Sequence, residues 1–205
     1  MKLFHNEDPF PHIYIENTYD EDELEAVWRE LLFLCESYKL DPPTETGGAI
    51  NSQGRMLKKN NCVWLTDVYK NLKYSDIHLV NRKIFDNVDE IFGKHSSWFF
   101  KHLYANFEAT LISYYEDSDY YEPHEDRALI TGLTWFFREP KMFSGGNLHF
   151  PTFDYTIEVK NNTSIFFPSC LTHAVDEIKM NKKDMFNQNG RFCMSQFLSV
   201  VPQIQ

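Results

Sequence analysis

Three side chains carry the chemistry that this sequence offers. His124 and Asp126 stand two residues apart in YYEPHEDRA (Tyr120–Ala128), and His173 follows 49 residues after His124. Two imidazoles and one carboxylate make a facial ligand set that leaves open positions on iron. In an extended strand, residues i and i+2 point to one face, so His124 and Asp126 are expected to aim at a common point. An isolated His-x-Asp pair is common and says little; it becomes informative when a third ligand follows in order. A fourth residue supports the set. In GRFCMSQFL, Arg191, Cys193 and Ser195 share one face of a strand, and Phe192, Met194 and Gln196 the other. A guanidinium on an inner face needs an anion, because a buried unpaired charge is costly. Its planar fork suits a carboxylate. A ligand with two carboxylates would chelate the metal at one end and meet Arg191 at the other. The alternative partner for Arg191 is a buried acid such as Glu158. His149 is a rival metal ligand but reads better as a strand residue. His5, His12, His78, His95 and His102 read as surface or core histidines.

These side chains need a rigid frame. From about Trp98 the chain runs in short apolar and aromatic segments cut by turn residues: EATLISYY, LITGLTWFF, GNLHF, YTIEV, TSIFFP and GRFCMSQFLSVV. That spacing predicts an antiparallel sandwich or barrel. Upstream, a helix is expected from Asp20, with an acidic first turn and a stripe of Leu24, Val27, Leu31, Leu34 and Cys35. A second is expected from Ser75 to Gly93, capped by Ser75. Asp41–Gly54 reads as a loop. The expectation is one domain over residues 1–205, helix-rich over 1–95, with the strand core and the site in 96–205. The helices are expected on the outside of one sheet.

The whole chain narrows the function classes. It has 205 residues, of which 42% are hydrophobic and 16% aromatic, enough for a sizeable core. Twenty basic residues stand against 30 acidic ones, a formal charge of −10. Bulk nucleic acid is therefore disfavoured as a partner, since a sequence-independent grip on phosphates needs lysine and arginine; a peptide or protein, or a small molecule, fits better. The four cysteines form no close pair, and neither a signal segment nor a membrane span is evident. A reducing, cytoplasmic setting is expected, so the triplets at Asn161 and Asn162 are chance glycosylation matches.

Four ordered elements, YEDSDYYEPHED (Tyr115–Asp126), GGNLHFP (Gly145–Pro151), His173 and GRFCMS, resemble the prolyl 4-hydroxylase-like iron(II)- and 2-oxoglutarate-dependent dioxygenases. The resemblance covers roughly the C-terminal half. It implies a double-stranded β-helix, or jelly roll: mainly β with flanking helices, the N-terminal ones packed on one sheet. It implies iron(II) on His124, Asp126 and His173, the metal and catalytic set. It places the distal carboxylate of 2-oxoglutarate on Arg191, with help from Ser195 or the Tyr115 hydroxyl. Tyr121, three residues before the first ligand, and Trp135 would line the substrate pocket. Dioxygen would be the cosubstrate, ascorbate would affect turnover, and the product would be a hydroxylated C–H. Asp126 favours hydroxylation, since halogenating relatives lack that carboxylate. The chain departs from the family at Ser118, usually glycine; at Cys193, often a small polar residue; at Trp135 or Phe136, where some relatives use a tyrosine; and in the 18-residue interval from His173 to Arg191.

The functional expectation is hydroxylation of an unactivated C–H bond, with peptidyl proline first and a free small molecule or amino acid second. The competing class is a non-enzymatic cupin-type binding module that uses the same pocket.

Overall fold

The computed structural model describes residues 1–202. Numbered in chain order, seven strands form a large sheet: β1 (Lys2–Asn6), β2 (His12–Glu16), β11 (Thr163–Pro168), β7 (Ile130–Phe136), β14 (Arg191–Ser199), β5 (Phe107–Tyr115) and β4 (Asn61–Trp64), in that spatial order. Five form a smaller one: β10 (Tyr155–Ile157), β9 (Leu148–Phe150), β12 (His173–Val175), β6 (Tyr120–His124) and β3 (Lys58–Lys59). A third ribbon pairs β13 (Lys179–Met180) with β8 (Phe143–Ser144). The pairings are antiparallel throughout, and the two main sheets face each other as in a jelly roll.

The alternation of side chains makes the layers. Along β11, Ile165 and Phe167 turn inward with Leu133, Trp135, Leu148, Phe150 and Val175. Phe166, between them, turns outward onto Ile13, Ile15, Ile84 and Phe92. Every residue of β7 is buried, because its inner face meets the small sheet and its outer face is covered by helices.

Helix Glu21–Glu36 starts where the sequence places it. Asp20 Oδ1 accepts from the Glu23 N–H (3.0 Å) and Glu23 Oε2 from the Asp20 N–H (2.9 Å), a reciprocal cap. Its Val27, Leu31 and Leu34 pack on Phe136, Phe192 and Met194, the outward residues of the large sheet. Ser75 caps the second helix through the His78 N–H (3.0 Å). Glu30 ties the two helices: it accepts from the Ser75 hydroxyl (2.8 Å) and the Ile77 N–H (2.7 Å). The expected helix over Ser75–Gly93 divides into Asp76–Asp86 and Val88–Ile91. Asn87 between them is off-helical, and its side-chain amide donates to the Lys83 carbonyl (2.6 Å), a local bond that competes with helix continuation.

The expectation of helices first and strands afterwards does not describe the first 64 residues. β1 and β2 form a hairpin that continues the large sheet beyond β11, with Ile13 opposite Phe166, and β4 closes its other edge against β5. Asp41–Gly54 is loop except for one turn of helix, Pro43–Thr46. Among the described residues the cysteines are free, and no helix is long and apolar enough to cross a membrane.

Candidate metal centre

His124 ends β6, and His173 opens β12 directly opposite it in the cross-strand register. Asp126 lies past the end of β6, not within it, so strand alternation does not aim its carboxylate. Hydrogen bonds do. The Asp126 N–H donates to the Ser169 carbonyl (3.0 Å), and the Thr131 hydroxyl donates to Asp126 Oδ2 (2.6 Å). Thr131 and Ser169 join through their own hydroxyls (2.8 Å). The outcome is convergence: His124 Nε2 stands 3.8 Å from Asp126 Oδ1, and His173 Nε2 3.4 Å from Asp126 Oδ2. One ligand atom from each of the three residues lies within 4.8 Å of the others.

Both imidazoles are oriented the same way. His124 Nδ1 pairs with the Glu122 carbonyl and His173 Nδ1 with the Leu171 carbonyl, each at 2.9 Å. With Nδ1 donating, each Nε2 offers its lone pair to the shared point. Burial, then the adjacent His173, push the His124 imidazole down to about 4, so it is neutral near pH 7. Burial works against an ionised Asp126, but the adjoining His173 and the Thr131 hydroxyl outweigh it and hold the carboxyl below its usual range. The Tyr121 ring stacks on His124, centroids 3.5 Å apart, and its hydroxyl accepts from the Ala49 N–H (2.9 Å). Phe167 and Phe150 back His173.

The point where the three ligand atoms converge opens into a cavity of about 900 Å³ between the sheets. Arg191 lies in its wall, 1% exposed. Its guanidinium covers the Tyr115 ring at 4.3 Å, and Nη1 donates to the Gly146 carbonyl (2.5 Å). Nε and Nη2 have no hydrogen-bond partner among the described residues, Glu158 included. The two glycines of GGNLHFP make the Gly146 contact feasible. Gly145 and Gly146 are left-handed (φ +72° and +71°), and a Cβ on Gly145 would lie 2.1 Å from the Glu177 carbonyl oxygen. Burial pushes the Tyr115 hydroxyl up, leaving it a neutral donor. Ser195, Cys193, Trp135 and Tyr121 line the same cavity.

Against solved structures the chain is similar to a Pseudomonas putida prolyl-4-hydroxylase, with 13% identity, 93% of each chain covered and a TM-score of 0.64. It is also similar to the viral collagen prolyl hydroxylase of Paramecium bursaria Chlorella virus-1 in its 2OG complex: 17% identity, 93% of this chain and 96% of that one, TM-score 0.56. It shares the fold of the prolyl 4-hydroxylase-like oxygenases. NgTET1 in complex with 5mC DNA matches the same fold at 12% identity, covering 97% of this chain and 76% of that one, TM-score 0.55. A scan of protein families and a search of curated proteins each find no match.

In the prolyl 4-hydroxylase-like fold the departures acquire physical reasons. Ser118, in the turn before β6, is left-handed (φ +64°), a conformation that glycine adopts without strain. The long interval before Arg191 is the excursion through β13 and the turns after it. His149 bonds Thr156 (2.9 Å) and is outside the ligand cluster. Arg127 is exposed.

The residues present fit a metal and a dicarboxylate: the donor set is two imidazoles, each with Nδ1 engaged by a carbonyl, and a carboxylate, and Arg191 has two buried donors to spare. Sequence reasoning missed that Thr131 and Ser169 hold Asp126, and it missed Lys58 and Asn60 altogether. The roles of the first two come from register alone, since Ser169 and Thr131 meet only when β11 pairs with β7. Thr131→Val keeps the shape and removes both hydroxyl bonds. We expect metal affinity to fall roughly 10–100-fold, as for other partners that orient a ligand, with the fold retained. Equilibrium metal titration beside circular dichroism checks it; unchanged affinity refutes the positioning role.

Proposed function

We propose that the protein is an iron(II)- and 2-oxoglutarate-dependent oxygenase that hydroxylates an unactivated C–H bond, with peptidyl proline the first substrate to try and free small molecules the second. The observation that carries the reading is the meeting of His124, Asp126 and His173 in the cavity where Arg191 keeps two unpartnered donors. When bound, ferrous iron and 2-oxoglutarate supply dioxygen activation coupled to decarboxylation, giving succinate, carbon dioxide and a hydroxylated product.

The chain's own residues bind, orient and exclude. His124 and His173 present Nε2 lone pairs because Nδ1 is engaged with backbone carbonyls. Asp126 offers an ionised oxygen held by Thr131. Arg191 takes the far carboxylate of 2-oxoglutarate through Nε and Nη2, with the Tyr115 hydroxyl as an added donor. Tyr121, Trp135, Leu133 and Leu148 give the cavity apolar walls that keep bulk water from the reacting centre.

The test is anaerobic addition of iron(II) and 2-oxoglutarate, then air. A weak violet absorption, followed by succinate formation stimulated by a proline-containing peptide or a metabolite panel, is the expected result. Stabilisation by 2-oxoglutarate without metal, and no succinate, points to a binding module instead.

A further inference from the structure

The cavity holds a second polar pair that the proposed reaction leaves unused. Lys58 and Asn60 flank the point where the chain leaves the small sheet at β3 and enters the large one at β4. Lys58 pairs with Tyr121 across the strands and is 6% exposed; Asn60 is 4% exposed; both line the cavity. Asn60 is unsatisfied and Lys58 is satisfied only in part. Asn60 Oδ1 and Nδ2 have no partner among the described residues. The Lys58 ammonium reaches only the Cys62 thiol at 3.4 Å and the Tyr121 ring, 5.6 Å to its centroid, and no described carboxylate pairs with it. Lysine is rarely buried without a counter-charge, and a buried amide with both ends free is costly.

The two polar pairs ask for different ligands. Arg191 has donors only, which suits an acceptor-only group such as the far carboxylate of 2-oxoglutarate. Asn60 has a donor and an acceptor free, and Lys58 adds a positive charge. The matching group is a carboxylate with an N–H beside it: the carboxylate meets the Lys58 ammonium and Asn60 Nδ2, and the N–H donates to Asn60 Oδ1. 2-Oxoglutarate has no N–H to give. The charge of the wall agrees. The chain carries −10 overall, yet the charged residues lining the cavity are Lys58, Arg127 and Arg191 against Glu125 and Asp126. Tyr121 touches both Lys58 and His124, so a ligand anchored on Lys58 lies one aromatic ring from the metal point.

We propose that Lys58 and Asn60 form the subsite for the α-carboxylate and adjoining N–H of an amino-acid substrate, either free or as a C-terminal peptide residue other than proline, whose peptide nitrogen carries no hydrogen. The proposal rests on the oxygenase reading for its geometry, and its test separates the two. Protein loaded with manganese(II) and 2-oxoglutarate, which binds without turning over, is titrated by calorimetry. The probes are the L-amino acids, tripeptides ending in each of them, and the same tripeptides amidated at the C-terminus.

Binding of a free-acid probe at least about tenfold tighter than its amide, lost by a similar factor in Lys58→Met, is expected. Binding by free amino acids alone, or by acid tripeptides as well, identifies the source. Gly48→Ala is the second variant. Its Cβ would lie 2.6 Å from Lys58 Cε, so it displaces the ammonium without removing it, and it should weaken the same probes. In both variants 2-oxoglutarate affinity stays within about threefold of wild type, since Arg191 is untouched. No acid preference anywhere in the panel overturns the subsite. So does a Lys58→Met protein whose 2-oxoglutarate affinity falls with its probe affinity, which would move Lys58 to the cosubstrate. A wild-type protein that binds neither metal nor 2-oxoglutarate overturns the oxygenase reading instead.

Discussion

Asp126→Ala is expected to leave a protein that folds but neither holds ferrous iron nor forms succinate. The carboxylate is the only anionic ligand of the three, and its removal leaves two imidazoles facing one another. The loss in metal affinity should exceed the roughly 10–100-fold that removing a mere orienting partner costs. Turnover should drop to that of metal-free protein. The fold should survive, because Thr131 and Ser169 keep their mutual bond at 2.8 Å when Asp126 is gone. Metal titration, coupled 2-oxoglutarate turnover and a thermal melt together make the measurement. A variant that retains coupled turnover would end the assignment of this centre.

Arg191→Met separates two effects of opposite sign. The guanidinium is buried with two donors unpaired, and replacing a buried charge by an apolar chain of similar length often leaves a protein as stable or more so. The melting temperature of the ligand-free variant should therefore equal or exceed that of wild type. The 2-oxoglutarate requirement should rise instead. Removing one partner of a buried charge-assisted pair costs about 2–5 kcal/mol, roughly 30-fold or more in KM. Iron binding should be unchanged, because Arg191 touches none of the three ligands. A fall in stability with no change in KM would make Arg191 a structural group that needs no anion.

The sequence made the order of the site legible, and the sheets made its geometry. His124 could be picked out by its spacing to Asp126 and the later His173, and His173 and Arg191 because each sits in or beside a short apolar run. Strand alternation sorted Arg191, Cys193 and Ser195 from Phe192 and Met194, which the structure places in the cavity wall and under helix Glu21–Glu36 respectively. Asp126 was chosen for an inexact reason: it lies beyond β6, and hydrogen bonds from a neighbouring turn place it. Lys58 and Asn60 could not be found, because nothing local distinguishes a buried lysine in MLKKNN from an exposed one. Only the pairing of Lys58 with Tyr121 turns it inward. The first two strands were passed over for a similar reason. KLFHN and HIYIE are five residues each, separated by two prolines, and acquire strand character from partners as distant as β11.

That hairpin has a consequence for dividing the chain. A fragment beginning near residue 96 would contain every residue of the candidate metal centre and Arg191, yet it would lack β1, β2 and β4. β11 and β5 would become bare margins with free peptide groups, and Phe166 would lose the cover of Ile13 and Ile15. Such margins recruit other chains, so the fragment is expected to self-associate rather than act as a minimal catalytic unit.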